Sequence, residues 1–182
     1  MVAAVLIIHC GTHKTATSAF QDICYRNHSA LLRFGILYPL IKPKESELVK
    51  INGRVFQGRR VLRQHSNIAR SLSARDSSYA EKFFVQLRLA VQQSNCHTVL
   101  MSGEDFENIL VDTLLLEKII ELSIKADLGI PKLFFTRRDP MEYFCSIYGE
   151  LSKKRVVIDF KAAAIAAANT GYFASPVPDY LE

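Results

Sequence analysis

Seven consecutive apolar residues, Val2 to Ile8, run almost directly into the turn Gly11-Thr12-His13-Lys14-Thr15-Ala16-Thr17-Ser18, and an amphipathic segment follows at once. An apolar run without polar alternation suits a central parallel strand buried on both faces. Strand, short Gly/Lys/Thr turn and helix in that order build an anion site. The turn presents backbone N–H groups, and the helix start adds partial positive charge. Lys14 adds a full charge, and Thr15, Thr17 and Ser18 add hydroxyl donors. The expected occupant carries a phosphate or sulfate.

The rest of the chain alternates in the same way. Strands are expected over 3–9, 35–39, 97–101 and 132–136, the first and last of them buried. Helices are expected over 15–26, 29–33, 68–74, 79–93, 112–127, 139–154 and 159–169. Asp139 reads as an N-cap, with Pro140 at the first helical position and Glu142 completing a capping box. Residues 40–64 lack a clean period and read as a long surface excursion within an acceptor region spanning 40–75. Strands alternating with helices imply crossover connections, hence a three-layer α/β domain with a parallel sheet between helices. Ligands of such sheets bind at the carboxyl ends of the strands. Three of those ends carry unusual polar residues: 11–18, 102–105 and Arg137-Arg138. They are expected to converge on one crevice.

At 182 residues the chain is long enough for one well-buried domain. Its net charge of +5 suits a polyanionic ligand but is spread along the chain. No nucleic-acid-binding module of the usual kinds is present, so no nucleic-acid partner is expected. The four cysteines, Cys10, Cys24, Cys96 and Cys145, show no metal-like spacing. They read as small buried side chains in a reducing, cytoplasmic setting, without a metal. No run approaches the ~20 apolar residues of a membrane span, and residues 2–8 lack the basic flank and cleavage site of a signal peptide.

The first turn is close to a Walker A loop without being one. That loop needs a Gly directly before its Lys and another five residues further back. Here Gly11 stands only three residues before Lys14. The turn instead resembles that of sulfotransferases using 3′-phosphoadenosine-5′-phosphosulfate (PAPS), whose pattern is Gly-x-x-Lys-Thr-Gly-Thr-Thr. Ala16 takes the place of that family's usual Gly, and Gln21 stands where its bacterial members often carry Gln. A second match lies about 120 residues on. Arg138 ends a strand, and Ser146 follows eight residues later on the next helix, the spacing with which that family binds the 3′-phosphate.

The resemblance implies a P-loop NTPase-like fold and sulfuryl transfer from PAPS to a hydroxyl or amine of a small molecule or glycan. Gly11, Thr12, His13, Lys14, Thr15, Ala16, Thr17 and Ser18 would hold the 5′-phosphosulfate, with Lys14 stabilising the leaving phosphate oxygen. Arg138 and Ser146 would hold the 3′-phosphate. Glu104 is the candidate general base, or else simply a carboxylate at a helix start beside Asp105. No metal is implied. Family members continue with a further strand and a basic loop about where Glu182 falls, so a C-terminally truncated domain is expected, and a dimer would cover its open edge. Two other readings stand beside this one: a small P-loop kinase or phosphotransferase, and a non-catalytic nucleotide-binding module. Arg54, Arg59, Arg60, Arg63 and Arg70 fit either an anionic acceptor or a solvated basic surface. His9 reads as a hydrogen-bonded strand-end residue, His13 as a loop residue, and Tyr148 as core or ligand.

Overall fold

The computed structural model describes residues 4–11, 17–40, 50–51, 54–55, 65–110, 112–136, 139–153 and 159–161. The apolar N-terminal run forms β1 (Val5–Gly11), followed by α1 (Thr17–Arg26), α2 (His28–Arg33) and β2 (Ile36–Leu37). Two short strands, β3 (Lys50–Ile51) and β4 (Arg54–Val55), pair antiparallel within the excursion. Then come α3 (Ser66–Ser73), α4 (Ser78–Ser94), β5 (Thr98–Gly103), a 3-10 helix (Glu104–Leu110), α5 (Thr113–Lys125), β6 (Lys132–Thr136) and α6 (Pro140–Lys153).

The main sheet is all parallel, in the order β2-β5-β1-β6. Alternation along β1 assigns its two faces. Leu6, Ile8 and Cys10, with Val99 and Met101 of β5, pack into one core with Ile68 and Leu72 of α3, Phe84 of α4, and Leu115 and Ile119 of α5. The opposite face carries α1: the ring of His9 meets Phe20 edge-on at 4.5 Å. Helices therefore flank the sheet on both sides, as the strand–helix alternation implied.

Local chemistry sets the helix ends. Asp112 caps α5 by accepting from Leu115 N–H (3.2 Å). Asp139 Oδ1 accepts from both Met141 N–H and Glu142 N–H (3.0 Å each), satisfying two of the free donors at the start of α6. The expected N-cap is thus in place.

Three expectations change. β6 is not a buried strand: none of its five residues is buried, and Phe134 is 53% exposed. The strand pairs with β1 alone among the described residues, so it lacks the second neighbour that encloses β1. Cys10, Cys24 and Cys96 are buried free thiols, but Cys145 lies on an exposed face of α6. The strand expected over 35–39 is ordered as two residues only, where Ile36 and Leu37 pair with Thr98 and Val99.

Candidate functional site at the strand ends

Strand register brings the polar segments together. His9 lies opposite Ser102, Cys10 opposite both Gly103 and Phe135, and Gly11 opposite Thr136. The chain leaves β1 for α1 on one face of the sheet. It leaves β5 for the 3-10 helix and α5 on the other face, where Phe106, Ile109 and Leu115 join the core. Adjacent strands whose continuations diverge in this way open a crevice at their carboxyl ends. Gly11 and Glu104 stand at its mouth, and the strand that precedes Arg137-Arg138 flanks it.

The floor of this crevice is polar, and its centre is enclosed. His9 is 1% exposed and bridges three strands: Nδ1 is 2.9 Å from Ser102 Oγ on β5, and Nε2 is 3.2 Å from Thr136 Oγ1 on β6. A neutral imidazole has one donor and one acceptor nitrogen, and rotating hydroxyls can match either tautomer. Burial holds the His9 pKa below the ordinary histidine value, which keeps the ring neutral. The expected hydrogen-bonded strand-end histidine is therefore present, and it ties together the strands that carry the site.

A second histidine clamps the return of the excursion. The N–H of His65 donates to Ser102 O (2.8 Å), and Ser102 N–H donates to His65 Nδ1 (3.0 Å). With Nδ1 accepting, the proton sits on Nε2, which donates to Pro39 O (2.9 Å). Ser102 thus holds His9 through its hydroxyl and His65 through its backbone. Gly103 beside it has no room for a side chain: a Cβ there would lie 2.9 Å from Ser66 N and 3.0 Å from Ser66 Oγ.

Of the residues expected at the site, Thr17 is buried at the start of α1, and Ser18 beside it is exposed. Glu104 is half-buried and opens the 3-10 helix directly after β5. Ser146 is half-buried on α6. Gly11 ends β1, while Thr12, His13, Lys14, Thr15, Ala16, Arg137 and Arg138 lie outside the described residues. Asp105 does not act as a free partner of Glu104, because Arg70 of α3 pairs with it at 3.0 Å. The same pair removes Arg70 from the residues open to an anionic acceptor. The side chains of Arg54, Arg59, Arg60 and Arg63 are outside the described set. Tyr148 stacks on Phe144 and meets Phe160 edge-on at 5.0 Å, which makes it part of an aromatic cluster between α6 and Phe160.

Two site features escape the sequence. Glu107 is 2% exposed on the 3-10 helix, and its negative charge acts on Cys10. Burial first, then that charge, push the Cys10 thiol up to about 12. The spacing Glu104-x-x-Glu107 was the available signal, since a 3-10 turn carries residues i and i+3 on one side. The other feature is the depth of Gln21 on α1, 3% exposed, a position that the resemblance picks out by type and not by burial. Among the described residues, the buried polar or charged side chains are His9, Thr17, Gln21, His65, Ser66, Ser102, Glu107 and Ser123. All but Ser123 belong to the ends of β1 and β5 or to the segments packed on or continuing from them. No group of residues that could hold a metal occurs among the described residues, and no described helix is long and apolar enough to cross a membrane. A separate groove, lined by Phe84, Val85, Arg88 and Leu89 of α4 and Leu122 of α5, includes no residue of the strand ends. No protein-family model, curated protein or solved structure matches this chain.

Proposed function

We propose that the chain is a PAPS-dependent sulfotransferase with a P-loop NTPase-like arrangement, acting on a hydroxyl or amine acceptor. The observation that carries this reading is the register. It sets the end of β1, which leads into Gly11 to Ser18, between the β5 end that leads into Glu104 and the β6 end that leads into Arg138. The strands that lead into two motifs about 120 residues apart in sequence are thereby neighbours in one sheet.

The chemistry fits such an edge. Sulfuryl transfer breaks the bond between sulfur and the phosphate oxygen and forms one between sulfur and the acceptor. The electron pair leaves with the phosphate, where Lys14 and the N-terminus of α1 stabilise the developing charge. The acceptor proton passes to Glu104. Gly11 to Ser18 hold the 5′-phosphosulfate, and Arg138 with Ser146 holds the 3′-phosphate. The rate comes from positioning and charge neutralisation.

The test is calorimetric titration of the chain with 3′-phosphoadenosine-5′-phosphate, with ATP and AMP as competitors. The expected result is selective binding that Lys14→Ala and Arg138→Ala abolish. Preference for ATP with magnesium would instead make the chain a phosphotransferase. Selective binding without sulfate transfer to any acceptor would make it a nucleotide-binding module. Where turnover is found, Glu104→Gln should remove it while leaving nucleotide affinity intact.

A further inference from the structure

Gln21 is a buried polar residue whose carboxamide the packing does not explain. It lies on α1, one turn after Thr17, and the two are 3% and 1% exposed. Residues four apart share a helix face, so both stand on the buried stripe of α1. The carboxamide Nε2 of Gln21 is enclosed and donates to no group. A carboxamide nitrogen carries two donor hydrogens. Buried donors are satisfied almost without exception, by protein, by water or by a ligand. An apolar residue such as Leu would fill this stripe without that loss.

Direction supplies the missing partner. Long side chains on a helix lean back toward its N-terminus. From position 21 this carries the carboxamide toward the turn that begins with Thr17. Backbone N–H groups at the start of a helix point out of that same end. Gln21 therefore extends that donor set inward, on the sheet side, with a neutral donor that suits an oxyanion oxygen. Its carboxamide adds no charge and so supplies orientation.

We infer that Gln21 is a binding residue of the α1 site, donating from Nε2 to an inward oxygen of the bound sulfate or phosphate group. The inference builds on the anion-site reading above and adds a residue and a direction of approach to it. It also explains why a polar side chain is kept on a stripe that packing alone would fill with an apolar one.

The test compares wild type with Gln21→Met and Gln21→Glu, measuring the thermal midpoint of the free protein and affinity for 3′-phosphoadenosine-5′-phosphate. Met keeps the length without the donor, and Glu keeps the shape but replaces the donor with an acceptor. The expected result is a free-protein midpoint that holds or rises in Gln21→Met while affinity falls ~10-fold or more, as for loss of a hydrogen bond to a charged group. Gln21→Glu should bind more weakly still. Unchanged affinity in Gln21→Met overturns the inference and leaves a trapped water as the partner. Failure of both variants to fold also overturns it, making Gln21 structural. Should wild type ignore the nucleotide, the sulfotransferase reading fails on its own. Thermal shifts with sulfate and pyrophosphate then decide the inference: stabilisation of wild type that Gln21→Met loses supports it, and no stabilisation of wild type overturns it.

Discussion

Acidification should loosen this fold through His65 before the carboxylates titrate. The ring is enclosed, and burial lowers its pKa from 6.5 to about 4, against a smaller opposing effect of its backbone hydrogen bonds. Protonating Nδ1 would set an N–H against the N–H of Ser102. Ser102 O at 3.2 Å, which also accepts from the backbone N–H of His65, compensates only in part. Because the folded pKa lies below the unfolded one, the unfolded chain binds the proton first. The stabilising contribution is complete above pH 6.5 and is lost as pH falls from 6.5 toward 4. A shift of this size corresponds to about 3 kcal/mol, entering at up to ~1.4 kcal/mol per pH unit. Urea unfolding at intervals from pH 7.5 to 4.5 reads the slope directly. His9, also held low by burial, adds to the wild-type slope. The decisive comparison is therefore His65→Gln, which should be less stable at pH 7.5 but should lose less stability on acidification. A variant slope equal to that of wild type would falsify the buried neutral ring and the clamp built on it.

Three other expectations follow from packing and exposure. Gly103→Ala should cost about 1–3 kcal/mol in urea unfolding, because its Cβ meets the Ser66 backbone and cannot be relieved by a side-chain rotation alone; a cost under ~0.5 kcal/mol would mean that α3 shifts freely against β5. In a thiol-labelling assay Cys145 should react first, with Cys10, Cys24 and Cys96 protected until the chain unfolds. Rapid labelling of Cys10, whose thiol sits at about 12, would contradict the enclosed end of β1. A double-mutant cycle on Arg70 and Asp105 should give a coupling of about 0.5–1 kcal/mol that weakens with salt, since the arginine side chain is 49% exposed. Zero coupling would return Arg70 to the pool of free surface cations.

Much of the fold is legible because its signals are local. Residues 132–136 form β6 at the boundaries that the apolar run between Pro131 and Arg137 suggests. Asp139 and Asp112 mark the starts of α6 and α5 through side chains that reach only two or three residues ahead. What could not be read is how deep an element lies. Lys132 to Thr136 is apolar enough for a central strand, but burial depends on neighbours supplied from elsewhere in the chain. Cys145 shows the same limit, since helical periodicity orders its faces without saying which one is covered. Residues 40–64 stayed opaque because a two-residue strand pair such as Lys50–Ile51 with Arg54–Val55 is too short to impose a period.

The site divides along the same line. Its rim is a matter of motif, and Gly11 and Glu104 can be picked out one at a time by type and spacing. Its floor is a matter of register. Ser102 is an unremarkable serine until β5 pairs with β1, and it then acquires two histidines 37 and 93 residues away in sequence. Thr136 reaches His9 across 127 residues. A polar residue inside an apolar strand is therefore ambiguous by itself, and its partners lie on strands that the local sequence does not name. The cost of enclosing such groups makes their common position informative. Each must find a hydrogen bond or weaken the fold, so an apolar floor would be simpler to build. A polar floor beneath the ends of β1, β5 and β6 fixes three strands relative to one another at the carboxyl end of the sheet, and that rigidity is what an anion-positioning site requires.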